Sequence, residues 1–224
     1  MLRIVHMPNS RSSRIVFVAE ELGIPYQIDL RRRSELKKPD VLAINPFGAA
    51  PVIQDGDLAM MESMAIVQYL VERHDAEQRL MPAVGSPARP RFLQWFHYAE
   101  ATLAPPLVGY LRSSGFWATT PLDEKARDAA RRSLDIAVGQ VDDTLADSAC
   151  IAGDSFGVAD IGIHWAIHIA RMIQAVDLDE MKHVARYMAQ IDARPAAKIA
   201  YAIPTDYVRE PPGSAITPAR ARRR

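Results

Sequence analysis

The 224-residue chain has a single cysteine, Cys150. A lone cysteine excludes an internal disulfide framework and fits a reducing compartment. There is no excess charge of either sign, since 27 Lys and Arg residues meet 27 Asp and Glu. That balance excludes a nucleic-acid partner held by bulk charge. No apolar run approaches the roughly 20 residues needed to cross a bilayer, so no membrane partner is expected. The first residues, Met1 to His6, lack the long apolar core of a secretion signal. The expectation is a cytoplasmic protein. Hydrophobic residues make up 49% and charged residues 24%, an ordinary globular balance that excludes a disordered chain.

Two kinds of pattern are present. Leu2 to His6 reads as a buried strand, and Met7 to Ser13 as a polar loop. Ile15, Val18, Ala19 and Leu22 fall at i, i+3, i+4 and i+7 on one helix face. Gly23 stops that helix, and Pro25 bars its continuation. Tyr26 to Leu30 alternates as a second strand. Strand, helix and strand in this order predict a right-handed unit with parallel strands. Residues 31–40 are polar and carry Lys37-Lys38, and are expected as loop with at most a short irregular helix. Next comes Asn45-Pro46-Phe47-Gly48-Ala49-Ala50-Pro51-Val52-Ile53-Gln54-Asp55-Gly56. Pro51 heads an apolar strand, where a missing N–H is tolerated, and Asp55-Gly56 signals a hairpin into Leu58-Ala59-Met60. Glu62-Ser63 opens a helix with Ala65, Ile66, Tyr69 and Leu70.

The stretch from Asn45 to Leu70 resembles the glutathione-binding half of cytosolic glutathione transferases, of a bacterial, serine-like type. It matches the family pattern at Asn45, Pro46, Gly48, Pro51, Asp55, Gly56, Glu62, Ser63, Ala65, Ile66, Tyr69 and Leu70. The resemblance implies an α/β N-terminal domain of thioredoxin-like fold, with a mixed four-stranded sheet, over residues 1–80. It also implies a cis Ala50–Pro51 bond that presents the backbone of Ala50 to the cysteinyl unit of glutathione, as an added strand pairs with an edge. Glu62 and Ser63 are implied to hold the γ-glutamyl end. Many relatives carry lysine where Ala49 stands, so Lys37 or Lys38 is expected to serve the glycyl carboxylate.

The family's chemistry is stabilisation of the glutathione thiolate at the start of the first helix. The candidates in Asn9-Ser10-Arg11-Ser12-Ser13 are Asn9, Ser10, Ser12 and Ser13, with Ser10 preferred, then Asn9 and Ser12. Counting back from Ile15 to the position that relatives use lands on Asn9, one step before Ser10. Capping of the helix is the competing role for these serines. No tyrosine stands near the first strand end, which disfavours the tyrosine-type classes. A related isomerase motif, Ser-Ser-Cys-x-x-Arg, is broken by Asn9 and Arg11.

The second half changes character. Residues 81–91, with Pro82, Gly85, Pro87 and Pro90, read as a linker. Strand signals then vanish, and residues 92–208 are expected to form an all-α C-terminal domain. Its helices are expected from Arg91 with a kink at Pro105-Pro106, then over 123–146, 158–175 and 178–192, with a short last one at 196–200. Phe156-Gly157-Val158-Ala159-Asp160-Ile161 resembles the family's helix-capping motif, with Gly157 in place of the usual hydroxyl residue. Arg194-Pro195-Ala196 resembles its late Arg-Pro turn. Trp95, Tyr98, Tyr110, Phe116 and Trp117 are candidates for the wall of an acceptor pocket, and Tyr207 is a further aromatic. His164 and His168 are one helical turn apart, but the sequence offers no third ligand, so no metal is expected. Residues 209–224 are Pro-rich and then Arg-rich, and are expected to be a disordered basic tail.

The resulting expectation is an enzyme, a homodimeric glutathione transferase of the detoxification kind. Glutathione is its co-substrate and a small hydrophobic electrophile its other partner, and it conjugates the two or reduces peroxides. A catalytically silent glutathione- or protein-binding relative is the alternative. A glutathione-dependent isomerase or dehalogenase comes third.

Overall fold

The computed structural model describes residues 1–114 and 123–202 in full and the backbone of 208–209. The chain divides into two compact units, one made of residues 1–77 with the segment from 194 onward, the other of residues 78–193.

The first unit is built on a mixed sheet ordered β4-β3-β1-β2-β5. Strand β1 (Leu2–His6) pairs in parallel with β2 (Tyr26–Leu30), Leu2 facing Tyr26 and His6 facing Leu30. Strand β3 (Val52–Asp55) runs antiparallel to β1, and β4 (Leu58–Met61) closes a hairpin on it. The turn between them is the expected one. Asp55 faces Leu58, and Gly56 at φ +60° supplies the left-handed residue a two-residue connection needs. The crossover from β1 to β2 is helix α1 (Ser12–Leu22), buried at every position from Ser12 to Ala19. Gly23, at φ +67°, ends it: the Ile24 N–H donates to the Ala19 carbonyl at 2.9 Å and the Gly23 N–H to that of Glu20 at 3.3 Å. Those two bonds are the Schellman termination that a glycine after the last helical residue permits. A 3₁₀ turn (Arg33–Lys37) and short helix α2 (Pro39–Leu42) fill the polar stretch, and α3 (Ser63–His74) covers the sheet beside α1.

The units differ from the expected domains: residues 78–91, expected as the end of the first domain and a linker, belong to the second unit. Helix α9 (Pro195–Tyr201) packs on α1 and belongs to the first unit, so the helical unit ends at 193 rather than 208. The cause is specific: Arg194 forks onto Glu21 with two hydrogen bonds of 2.7 Å, and Ala196, Ala197 and Ala200 are buried. The sheet also gains a fifth strand, β5 (Val208–Arg209), antiparallel to β2. It pairs the outer edge of β2, an edge that would otherwise present unpaired N–H and C=O groups. Arg209 thus stands in a strand, whereas the rest of the expected basic tail lies outside the described residues.

The second unit is helical. Helix α4 (Arg89–Tyr98) starts inside the expected linker, runs through a π-helical turn (Ala99–Leu103) and continues as α5 (Ala104–Ser113). Pro105 and Pro106 sit in the first turn of α5, where a missing N–H costs least, and the π turn takes the place of the expected kink. Helix α6 (Glu124–Leu145) is capped by Asp123, whose carboxylate accepts from the Ala126 N–H at 3.0 Å. Helices α7 (Val158–Met172) and α8 (Lys182–Asp192) complete the unit.

The start of α7 shows why Gly157 replaces a hydroxyl residue. Asp160, fully buried, accepts from the Gly157 N–H at 2.8 Å, from the Ile151 N–H at 2.8 Å and from the Tyr187 hydroxyl at 3.0 Å. The backbone of Leu80 passes directly over the cap and accepts from the Val158 N–H at 2.9 Å. A Cβ on residue 157 would lie 2.6 Å from the Leu80 carbonyl oxygen. Glycine is therefore required by close approach, its φ of −154° being open to any residue. Gly157→Ser, which restores the usual capping residue, is expected to destabilise by about 1–3 kcal/mol, as overpacking does. Chemical denaturation checks this, and a stabilised variant contradicts it.

Candidate functional site

The site is assembled where β1 hands over to α1. Asn9 is exposed at φ +57°, in the left-handed region that asparagine tolerates better than most residues. This turn brings the chain back so that the Ser10 N–H donates to the Met7 carbonyl at 3.2 Å. Ser10 is 9% exposed, at the margin of the surface, whereas Ser12 and Ser13 are buried. The Ser10 hydroxyl oxygen accepts from the Ser12 N–H at 3.2 Å and lies 2.7 Å from Ser12 Oγ. Ser12 Oγ accepts from the Met7 N–H at 3.1 Å, lies 3.1 Å from the Met7 carbonyl, and lies 2.8 Å from His6 Nδ1. The three preferred candidates thus occupy distinct places: Asn9 on the surface, Ser10 at its edge, and Ser12 inside, engaged with its own chain.

His6 and Ser12 were not foreseen as partners. His6 is 1% exposed, and burial pushes its imidazole down to about 4, so it is neutral at pH 7. The unfolded chain protonates histidine near 6.5 and the folded one only near 4, so the unfolded state binds more protons between those values. His6 therefore contributes stability that is full above pH 6.5 and is lost as the pH falls toward 4, worth roughly 3 kcal/mol. NMR of the His6 ring checks this: its signals are expected to stay those of the neutral form from pH 7.5 to 5, and a midpoint near 6.5 would contradict the assignment.

A second group of residues shapes the loop before β3. Asn45, 7% exposed, donates from its side-chain amide to the Ala49 carbonyl at 2.9 Å and accepts from the Phe47 N–H at 3.1 Å. The Gly48 N–H donates to the Asn45 carbonyl at 2.8 Å. Gly48 is at φ +56°, and a Cβ there would lie 2.8 Å from the Leu36 carbonyl oxygen, so backbone and space both demand glycine. Lys37 lies along this loop, donating to the Phe47 carbonyl at 2.7 Å, while Lys38 pairs with Glu35 at 3.2 Å. Of the two lysines left open by the sequence, Lys37 is the one beside the loop. The Ala50–Pro51 peptide bond is cis, as the resemblance implied. Ala50 is half-buried against Val5, Leu36, Val41 and Val52. Outside the helices and strands of the described residues, no backbone hydrogen bond uses its N–H or C=O.

A third group lies at the start of α3. Glu62 is exposed, with φ +74° and ψ 105°. A non-glycine residue held there costs of order 1–3 kcal/mol, and such residues cluster at functional sites. Ser63 is 3% exposed and accepts from Arg14 Nη1 at 3.1 Å. Arg14 is fully buried. It stands behind Ser63 as a buried cation that local sequence pattern does not reveal. The available signal was only a cation between Ser12-Ser13 and Ile15-Val16, on a helix turn with no polar face to receive it.

The acceptor candidates fare differently. Trp95 is buried and its ring lies 4.8 Å from that of Tyr98, whose hydroxyl donates to the Ala137 carbonyl at 3.1 Å. Trp95 packs within the helical unit, and Tyr98 is half-buried. Tyr110 is half-buried. Phe116, Trp117 and Tyr207 lie outside the described residues.

A thioredoxin-like unit with a cis-proline before β3, joined in one chain to a helical unit, defines the class. The family model "Glutathione S-transferase, N-terminal domain" matches residues 10–73, and "Glutathione S-transferase, C-terminal domain" matches residues 61–195. The chain belongs to the glutathione S-transferase family. It is 32% identical over 198 residues to glutathione S-transferase GstB of Escherichia coli, covering 85% of this chain and 92% of that one. It is 27% identical over 222 residues to glutathione S-transferase 3 of Schizosaccharomyces pombe, covering 89% and 86%. Among solved structures, a glutathione transferase family member from Pseudomonas fluorescens with two glutathione molecules bound superposes at a TM-score of 0.82 with 24% identity, covering 91% and 93%. That likeness carries the fold.

Proposed function

We propose that the chain is a glutathione transferase whose first unit binds glutathione and steadies its thiolate at Ser10, for attack on small hydrophobic electrophiles or reduction of peroxides. The observation that carries this is the hydroxyl chain at the head of α1. A serine hydroxyl has one proton and two acceptor lone pairs. Ser10 Oγ accepts from the Ser12 N–H at 3.2 Å, and the 2.7 Å contact to Ser12 Oγ fills its second lone pair if Ser12 donates. When the neutral His6 ring carries its proton on Nδ1 and donates to Ser12 Oγ across 2.8 Å, that ring and the Met7 N–H fill both lone pairs of Ser12 Oγ, which donates to Ser10 or to the Met7 carbonyl at 3.1 Å and cannot accept from Ser10. In that tautomer the proton of Ser10 is left for an incoming group. A hydrogen bond to a charged acceptor is worth about 1.5–3 kcal/mol, or one to two units off a thiol pKa of about 8.5. The partial positive charge at the α1 N-terminus adds to it. The thiolate fraction at pH 7 then rises from about 3% to a third or more.

The rest of the tripeptide fits what surrounds Ser10. The Ala50 backbone receives the cysteinyl unit as an added strand. Ser63 accepts from Arg14 at 3.1 Å, so its own proton remains to donate to the γ-glutamyl carboxylate, next to a buried guanidinium. Glu62, exposed, takes the ammonium. Lys37 stands beside the loop for the glycyl carboxylate in place of the lysine that Ala49 lacks. The same contact between Ser10 and Ser12 supports a second reading: with the His6 proton on Nε2, Ser10 donates inward and the protein binds glutathione without activating it.

The test is calorimetric titration with glutathione, together with initial rates against aryl halides, α,β-unsaturated carbonyls and organic hydroperoxides. Binding with turnover above the uncatalysed rate supports the transferase. Binding without turnover favours the silent reading, and absence of binding overturns both.

A further inference from the structure

We propose that His164, His168 and Asp192 form a binding site for a divalent transition-metal ion in the helical unit. His164 and His168 project one turn apart from α7, and Asp192 is the last residue of α8. The sequence showed the histidine pair without a third ligand, because Asp192 is 28 residues from His164 and reaches it only through the packing of α8 on α7. One donor atom from each of the three side chains lies within 4.8 Å of the other two. His164 Nε2 and Asp192 Oδ1 are already 2.9 Å apart.

Two imidazoles and one carboxylate are the donor set of a zinc, nickel or copper site, and not of calcium or magnesium, which take oxygen. At zinc bond lengths of about 2.0–2.2 Å, tetrahedral ligand atoms sit roughly 3.3–3.5 Å apart. The ion's entry therefore breaks the hydrogen bond between His164 and Asp192, parts those atoms by about half an ångström and draws His168 inward. The site has a fixed floor and an open rim. His164 is fully buried, whereas His168 and Asp192 are half-exposed, which leaves room for water in the remaining position. Asp192 Oδ1 can only accept, so His164 Nε2 carries a proton at that contact, and the ion displaces it on binding.

Arg171 donates to Asp192 Oδ2 at 3.0 Å. It holds the carboxylate with Oδ1 turned to the histidines, and it also places a positive charge beside the ion. These effects oppose each other. At this range the charge dominates, because the bound ion itself orients Oδ1 while the guanidinium stays beside it. A bound ion would tie α7 to the C-terminal end of α8.

The experiment uses tag-free full-length protein, stripped with chelator and titrated with ZnCl₂ by calorimetry at pH 7.5, with Co²⁺ absorption bands as the coordination readout. One equivalent of Zn²⁺ is expected to bind the wild type. His168→Ala is expected to weaken that binding at least about tenfold, and Arg171→Ala to tighten it several-fold, within the range seen for changes around metal sites. Should His168→Ala fail to fold by circular dichroism, Asp192→Asn replaces it with the same expectation. Substoichiometric binding, or equal affinity in wild type and the ligand variant, overturns the proposal. An Arg171→Ala affinity unchanged or lower overturns the role given to Arg171.

Discussion

Asp160→Ala is expected to lower the unfolding free energy by roughly 3–5 kcal/mol, among the larger losses a single substitution produces. The carboxylate is fully buried and takes three donors, from Gly157, Ile151 and Tyr187, at 2.8, 2.8 and 3.0 Å. Alanine leaves the Gly157 and Ile151 N–H groups without this acceptor and the Tyr187 hydroxyl with the Asp160 main-chain carbonyl at 3.3 Å, at about 1–3 kcal/mol for each buried group left unmade. The loss exceeds that of an ordinary helix cap because Asp160 joins three separate pieces of chain. It closes the first turn of α7, holds the loop at Ile151 and anchors α8 through Tyr187. A fall in melting temperature of about 10 °C is expected for a chain of this size. The effect also depends on pH in a fixed direction. Burial raises the carboxyl to about 6 from 3.8, so the folded state binds its proton more readily than the unfolded one between those values. The contribution of this raised pKa therefore grows as the pH falls through 6 toward 3.8, and is lost as the pH rises through 6. Glutathione-dependent rates per folded molecule are expected to change little. Denaturant titration at pH 5 and pH 7 checks both statements, and a loss under 1 kcal/mol would contradict the reading of Asp160 as a junction.

Ser10→Ala is the second large effect, and it falls on catalysis. The rate constant kcat/KM for glutathione is expected to drop roughly 10- to 100-fold at pH 7, equivalent to one hydrogen bond to a charged sulfur. The deficit should shrink as the pH rises past 8.5 or so, where the thiol ionises unaided. Glutathione affinity should change little, because the proposed anchoring contacts lie at Ala50, Glu62 and Ser63. Ser12→Ala behaves differently: it removes a buried hydroxyl that contacts Met7 and His6, so its first consequence is lost stability. Asn9→Ala is the decisive control. If it, and not Ser10→Ala, carries the pH-dependent loss, the sulfur is held by the asparagine amide and the assignment moves one residue.

Much of this was legible in the sequence wherever the cause is local. The apolar spacing from Ile15 to Leu22 and the glycine after it place α1 and its end. Asp55-Gly56 fixes the hairpin. The string from Asn45 to Pro51 specifies its loop because Asn45, Gly48 and Pro51 each act on backbone within a few residues. What escaped depends on distant partners. Arg14 carries no local sign of its role until Ser63, 49 positions later, is packed beside it. His6 reads as a strand terminus until Ser12 folds back over it. Helix α9 looks like one more helix of the second unit until Arg194 finds Glu21. Gly157 looks like a weak cap until the Leu80 carbonyl is seen to occupy the space of its missing side chain. Periodicity and turn chemistry do not encode such pairings.

The most direct measurement is a crystal structure of the protein with glutathione. The proposal predicts the cysteinyl backbone paired with Ala50, the γ-glutamyl carboxylate on Ser63, and the sulfur within hydrogen-bond distance of Ser10 Oγ. Glutathione bound with its sulfur turned away from the head of α1, or seated anywhere other than against Ala50, would contradict it.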